Sequence, residues 1–419
     1  MAAQPATPFA DAATSDPQVM QWMQGFPPPA DKLIGHPDSN FFSFPRMRWT
    51  VCHMRELLPT RQVSHGMGAP QLLPYALDPA IDAIRFTPTG SDRSMSWKES
   101  LAANYTDGLL VLHKGRVVCQ YYSSCLDEAG QHAAMSMTKS LTGLLAEILV
   151  AEGVLDDTQK VVSIVPELAG SAFADATVRQ VMDMTTALAF SENYADPAAD
   201  IWQYAAAASP LPKPADYNGP DGYLEYLQTV KKQGEHGQAF AYRTVNSDAL
   251  GWIIARASGK DMARLLSERI WQKMGAEQDA YITVDGKGTP FAGGGISAGL
   301  RDMARIGQLM LNDGEINGQR LFPSAVVNAI RAGGDRQAFA KAGFASLAGG
   351  SYRSMWWLLH NRHGAFAARG VHGQTIYIDP AAGMVIARFA SHPLAANAAN
   401  DPTSLPAYQA LAEYLLRKP

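Results

Sequence analysis

Ser136 and Lys139 stand three residues apart in "AMSMTKSLTGLLAEIL", residues 134–149. Positions i and i+3 of a helix share a face, so a hydroxyl and an amine at this spacing can meet. The stretch is apolar almost all round, and no acidic residue lies between Glu128 and Glu147 to neutralise the lysine locally. Burial without a neighbouring carboxylate pushes a lysine toward its neutral form, which can act as a base. A serine in the first turn also meets free backbone N–H groups and the positive end of the helix dipole, which favour developing negative charge. These are the parts of an activated nucleophile. Against this, chance supplies about one S-x-x-K in a chain of this composition, and a lysine at a helix edge can reach water along its stem. A second element adds weight. "GQAFAYRTVNSDALGW" presents Tyr242 and Asn246 just before a helix, where a phenol can be a second proton carrier. On its own, Tyr242 reads as a half-buried aromatic with a satisfied hydroxyl.

These groups need elements to position them. "DGLLVLHKGRVVCQYY" places two apolar runs around Lys114-Gly115, a β-hairpin signal, and leads into the Ser136 helix. Near the C-terminus "GQTIYIDPAAGMVIARF" repeats the hairpin pattern with "DPAAG" as its turn, and "SLPAYQALAEYLLRK" reads as a closing helix. The middle is helical by period, in "ATVRQVMDMTT", "GYLEYLQTVKK", "SDALGWIIARASG" and "DMARLLSERIWQKMG". Between the first two of these lies a Pro- and Gly-rich stretch whose 195–222 part shapes any pocket there but has no readable conformation. The expected organisation is a leader at 1–45, loosely ordered or strapped over the surface. A discontinuous α/β lobe follows, from 46–175 and 288–419, with a helical lobe at 176–287. A cleft between lobes is the default place for a site.

Taken together, the residues resemble the penicillin-recognising serine hydrolases, in their class C β-lactamase-like branch. The segments "MSMTKSLTG", "VPELAGS", "ENYADPA", "AYRTVNSDALGWI", "ITVDGKG", "FAGGGISAGLRDMARIG", "YRSMWW" and "VHGQTIYIDP" carry it, from about residue 48 to the end. The resemblance implies a β-lactamase/penicillin-binding-protein-like α/β (α+β) fold, an antiparallel sheet flanked by helices with an inserted, mostly helical lobe. It implies that Ser136 is acylated, that Lys139 takes its proton and that Tyr242 passes the proton to the leaving group. Tyr194, in "ENYADP", would hydrogen-bond the scissile amide. The backbone N–H groups of Ser136 and Val371 would form the oxyanion hole, which in such sites is worth a few kcal/mol. Trp356, Trp357 and His372 are the remaining candidates for the substrate side, with one of the tryptophans as a pocket wall. The implied reaction is amide hydrolysis of short linear oligomers, with carboxylester hydrolysis as the alternative. No metal or organic cofactor is implied; a homodimer is. Two departures stand out. The cation of the family's K-T-G or H-T-G falls on Ala368, which counts against efficient β-lactam hydrolysis. Tyr-x-x-x-Asn replaces the commoner Tyr-x-Asn, which leaves Asn246 without a clear role.

Other readings compete. "GISAG" at 295–299 matches the G-x-S-x-G nucleophile elbow around Ser297, with Asp379 and His392 downstream, but the preceding "TPFAGGG" is too glycine-rich for a central strand. His360 and His363 invite a metal reading at a poor spacing and without a carboxylate. A non-catalytic binding module is disfavoured by the full Ser/Lys/Tyr set.

At 419 residues the chain exceeds the usual single core, and 47% apolar with 18% charged residues is an ordinary globular composition. A net charge of −4 without a basic run excludes a nucleic-acid partner, so a small-molecule substrate is expected. No apolar run reaches the roughly 18 residues of a membrane span. The first 31 residues carry no basic side chain and no secretory pattern. Cys52, Cys119 and Cys125, three in number and without zinc spacing, read as reduced thiols. The expectation is a cytoplasmic protein.

Overall fold

The structure is a computed structural model that describes residues 9–35, 40–211, 213 and 215–418. Two hairpins from opposite ends of the chain make one sheet. Its strands are β1 (Thr106–His113), β2 (Arg116–Tyr122), β3 (Ser351–Arg353), β4 (Trp356–Leu358), β5 (Phe366–Gly370), β6 (Gln374–Asp379) and β7 (Met384–Ala390), in the order β3-β4-β5-β6-β7-β1-β2. All neighbours are antiparallel, and β7 joins β1 from Met384↔His113 to Ala390↔Thr106. The β1–β2 turn puts Lys114 (φ 49°) and Gly115 (φ 77°) in the left-handed region. Two such residues give the turn whose twist matches the flanking strands.

Side chains alternate across a strand, so a central strand buries two faces. Leu109 and Val111 of β1 join Met384 and Ile386 of β7 in one apolar cluster, while Leu110, Leu112, Val385 and Ala387 join the other. The first cluster is closed by the C-terminal helix Asp401–Leu416, through Tyr408 and Leu411, and by Trp97. The second is covered by the helix Leu300–Leu311, whose Gly307 lies so close to Val385 that an added Cβ would come within 2.3 Å of it.

Four helices matter for the site: α1 (Met137–Ala151), α2 (Asp200–Ala208), α3 (Val245–Ser258) and the Leu300–Leu311 helix, α4. The apolar character of α1 hides a set of hydroxyl ties. Thr138 Oγ1 accepts from Ile296 N (3.1 Å), Ser140 Oγ donates to the Met355 carbonyl (2.6 Å) and Thr142 Oγ1 donates to the Ala292 carbonyl (2.9 Å). A second, four-stranded sheet, in the order Thr60–Val63, Ala280–Thr283, Ile296–Ala298 and His132–Ala133, delivers the chain to the start of α1. Its strand Ala280–Thr283 falls within the span expected to be helical. The apolar core runs without a break from the sheet into the helices of residues 178–266.

One expectation is decided and one corrected. Of the two alternatives for the leader, its described part is a strap, pinned rather than loose. Buried Arg48 donates from Nε to Ser391 Oγ (3.0 Å), from Nη1 to Ser15 Oγ (2.9 Å) and the Ala12 carbonyl, and from Nη2 to Asp107 Oδ1 (3.3 Å). Trp22, Ile34, Trp49 and Leu57 bury a small core beside it. The cysteines are not all free thiols either: Cys52 and Cys125 form a disulfide, leaving Cys119 unpaired. The cytoplasmic expectation loses the support of three reduced thiols. Among the described residues no helix is long and apolar enough to cross a membrane.

The tightest contact of α1 yields a test. A Cβ at Gly143 would lie 1.9 Å from the Ser354 carbonyl oxygen. Gly143→Ala is expected to destabilise the fold by about 1–3 kcal/mol through overpacking, read as a lower midpoint in denaturant; an unchanged midpoint would show that α1 is free to shift.

Candidate active site

Ser136 is the N-cap of α1, but its side chain caps nothing. An N-cap serine ordinarily accepts from the second or third helical N–H. Here the hydroxyl turns to Lys139, whose Nζ lies 2.9 Å from Ser136 Oγ. The preceding Met135 is held at φ 48°, in the left-handed region that non-glycine residues rarely adopt. Met135 packs with Met47, Val51 and Ala133, and Phe42 and Phe44 of the leader, Cys52, Cys125 and Val371 lie against that cluster, so the leader and the disulfide brace the nucleophile turn.

Lys139 is 1% exposed. Its Nζ donates to the Gly293 carbonyl at 2.5 Å. A neutral amine with one N–H so used can turn its lone pair to Ser136 Oγ. Burial lowers the Lys139 pKa to about 8, against the pull of Glu192 and Asp248, which favour the ammonium. Neither carboxylate lies near it in sequence. The expectation of a lysine without acidic neighbours is therefore corrected: the fold supplies two, and burial outweighs both.

Tyr242 joins from the segment before α3. Lys139 Nζ lies over its ring, 5.2 Å from the centroid. Burial and Glu192 push the Tyr242 phenol well above its ordinary value, while a hydrogen bond with Ser136 and the nearby Arg369 oppose this. The phenol thus keeps its proton beside the serine.

Tyr194 lies on the loop before α2. Its hydroxyl donates to Glu192 Oε1 (2.7 Å), which also accepts from Thr244 Oγ1, while Glu192 Oε2 accepts from Thr244 N. Glu192 is the residue that sequence reasoning missed. Its signal was its place two residues before Tyr194, but nothing local tells such a carboxylate from a solvated one. Burial and Glu192 raise the Tyr194 pKa well above its ordinary value.

The oxyanion candidates lie where β5 passes the start of α1. A Cβ at Gly370 would come within 2.8 Å of the Ala134 carbonyl and 3.0 Å of Ser136 N. Glycine there lets strand and helix start approach, and Val371 follows directly. The N–H groups of Ser136 and Val371 donate to no other group among the described residues.

The two tryptophans separate, as neighbours on a strand must. Trp357 stacks on Tyr242 (centroids 5.5 Å, planes 30° apart) and lies under the Arg369 guanidinium. Trp356 faces the core, fully buried, and donates from Nε1 to the Ser140 carbonyl at 2.9 Å. As a pocket wall Trp356 is corrected: it anchors α1. His372 is also corrected as a substrate-side residue. Its backbone is left-handed (φ 64°), its Nδ1 lies 2.7 Å from the His392 carbonyl and its ring packs edge-on to Phe42. Asn246 is structural, tied to Thr186 Oγ1 (2.6 Å) and the Arg243 carbonyl.

The rival constellations do not assemble. Ser297 lies within a strand paired on both sides, to Ala133 and to Tyr281, and no elbow forms. Asp379 holds His363 (2.8 Å), and His360 meets Ser351 Oγ (2.7 Å), so the two histidines have separate partners. Ala368, the family's cation position, is buried on β5, and the neighbouring Arg369 is tied to Asp401.

The arrangement has one pH consequence. A general base acts unprotonated, so turnover through Ser136 is expected to rise with pH through the Lys139 pKa of about 8 and to fall below it. A profile of kcat/KM against pH checks this; a plateau already complete at pH 6 would contradict it.

The beta-lactamase family's sequence model matches residues 101–406. The chain is 36% identical over 350 residues to the 6-aminohexanoate-dimer hydrolase of Paenarthrobacter ureafaciens, covering 83% of this chain and 86% of that one. A solved structure described as a 6-aminohexanoate-dimer hydrolase from Bacillus anthracis superposes with a TM-score of 0.84 at 31% identity, over 94% of this chain and 99% of that one. A penicillin-binding protein homologue from Caulobacter crescentus shares the fold at 18% identity and a TM-score of 0.56, over 75% and 96% of the two chains.

Proposed function

The chain belongs to the β-lactamase family, and on that premise we propose that it is a serine hydrolase that cleaves amide bonds of short linear oligomers of the 6-aminohexanoate-dimer type through an acyl-enzyme on Ser136. The observation that carries the reading is the 2.9 Å approach of a buried, pKa-lowered Lys139 to the Ser136 hydroxyl. The substrate class comes from the two relatives of that description, which match 83% and 94% of this chain.

In this reading Lys139 takes the Ser136 proton as Oγ attacks the carbonyl carbon. The developing oxyanion is met by the N–H groups of Ser136 and Val371. Tyr242, beside both Ser136 and Lys139, hands a proton to the departing nitrogen, and the C–N bond breaks to leave an ester on Ser136. Water then attacks that ester, and its proton returns by the same groups to restore Ser136 and release the acid. An amine is a poor leaving group unless protonated, so amide cleavage leans on proton donors more than ester cleavage does. Tyr194 is the second donor. Its hydroxyl is parked on Glu192 at 2.7 Å, from where it can turn to the amide nitrogen.

Ester hydrolysis is the second reading from the same catalytic set. The test is one panel: linear 6-aminohexanoate oligomers, p-nitrophenyl esters of short acids and a β-lactam. Ser136→Ala is expected to lower every activity by roughly 1,000-fold or more. β-Lactam turnover is expected to be the weakest of the three, since Ala368 offers no cation. If esters turn over and no linear amide does, the carboxylesterase reading replaces the amidase.

Tyr194→Phe separates the two further. It is expected to cut amide hydrolysis by roughly 10–100-fold while ester hydrolysis changes little. Equal losses on both substrates would count against the amidase assignment.

A further inference from the structure

The second carboxylate near Lys139 is not at the substrate side. Asp248 lies in the first turn of α3 and is 3% exposed. Tyr204, on α2, donates its hydroxyl to Asp248 Oδ2 at 2.6 Å. The other oxygen, Oδ1, is buried without a hydrogen-bond partner among the described residues. A buried carboxylate with half its acceptors idle is costly, and the fold keeps it next to a lysine that is itself buried.

The contact between them is Gly293. A Cβ built there would lie 3.1 Å from Asp248 Oδ2 and 2.6 Å from Thr244 Cγ2, so the carboxyl and the start of α3 press on this one backbone unit. Gly293 is also the residue whose carbonyl accepts from Lys139 Nζ. Burial raises the Asp248 pKa to about 7, against the Tyr204 hydrogen bond and Lys139, which favour its anion. On its far side Asp248 lines a cavity of about 220 Å³ with Gly251, Trp252, Met262 and Ala292.

We infer that Asp248 is a positioning residue for the general base: seated against Gly293 and held by Tyr204, it fixes the carbonyl that orients Lys139 and supplies a negative charge that governs how readily Lys139 gives up its proton. This rests on the reading of Ser136 and Lys139 as nucleophile and base. The charged and titratable groups around the pair are few. Lys139 faces Glu192, Asp248 and Tyr242. Asp248 faces Lys139, Tyr204 and, from the helix Tyr223–Thr229, Tyr223, while Arg61, Asp261 and Lys287 line the cavity it opens on. Burial lowers Lys139 and raises Asp248, and each ion relieves the other. Removing the carboxylate therefore removes a force that holds Lys139 protonated, and the lysine then becomes neutral at lower pH.

The experiment measures the rate of Ser136 acylation by a p-nitrophenyl ester against pH, in wild type, Asp248→Asn and Tyr204→Phe. Asp248→Asn is expected to move the acid limb down by about one pH unit, with a lower plateau because Gly293 is held less firmly. Tyr204→Phe, which keeps the carboxyl but weakens its anion, is expected to move the limb in the same direction by less. If the plateau drops in both variants and neither limb moves, Asp248 is only a packing residue and the inference fails. A limb that moves up also overturns it. Should Asp248→Asn not fold, the Tyr204→Phe limb alone decides. Mass mapping of the acyl group keeps the two levels apart: wild type acylated elsewhere than Ser136 defeats the underlying reading rather than the role of Asp248.

Discussion

The site depends on taking one ammonium group out of water. Lys139 is set into α1 with its Nζ against Ser136 and the Gly293 carbonyl, and burial tips it toward the amine. Everything nearby serves to keep that burial tight. The hydroxyls of Thr138, Ser140 and Thr142 tie α1 to the strand at 296, the turn at 355 and the loop at 292. Trp356 ties it again through the Ser140 carbonyl. A looser helix would admit water, and a hydrated lysine near its ordinary value of about 10.4 would be no base at neutral pH.

A second constraint is closeness of backbones. The proposed oxyanion position needs β5 to pass the helix start at a distance only glycine allows, and Gly370 supplies it. The sheet that carries β5 is built from both chain ends, so the site forms only when the β7–β1 pairing closes. The leader then fastens over the join through Arg48, which holds Ala12 and Ser15 on one side and Ser391 and Asp107 on the other.

Much of this was legible in the sequence. Ser136 and Lys139 share a helix face by spacing alone, and Lys114-Gly115 and "DPAAG" marked the two hairpins that became β1–β2 and β6–β7. What stayed hidden was set by contacts across long sequence distances. Glu192 and Asp248 meet Lys139 only through the fold; an acidic residue in the first turn of α3 reads locally as a partner for the helix dipole. The odd cysteine count concealed a pair 73 residues apart. Alternation predicts that Trp356 and Trp357 face opposite ways, but not which faces the site. The leader's Ala- and Pro-rich composition left a loose segment and a surface strap both open, and a single arginine with four partners decides for the strap.

The central claim is that burial lowers the Lys139 pKa far enough for the neutral amine to be available as a base around pH 8. Selective ¹³Cε labelling of lysine, with Lys139 assigned by a Lys139→Arg variant, gives its titration directly by NMR. The account predicts one lysine that titrates near pH 8, well below the rest. Titration of Lys139 above pH 10 with the other lysines would contradict it.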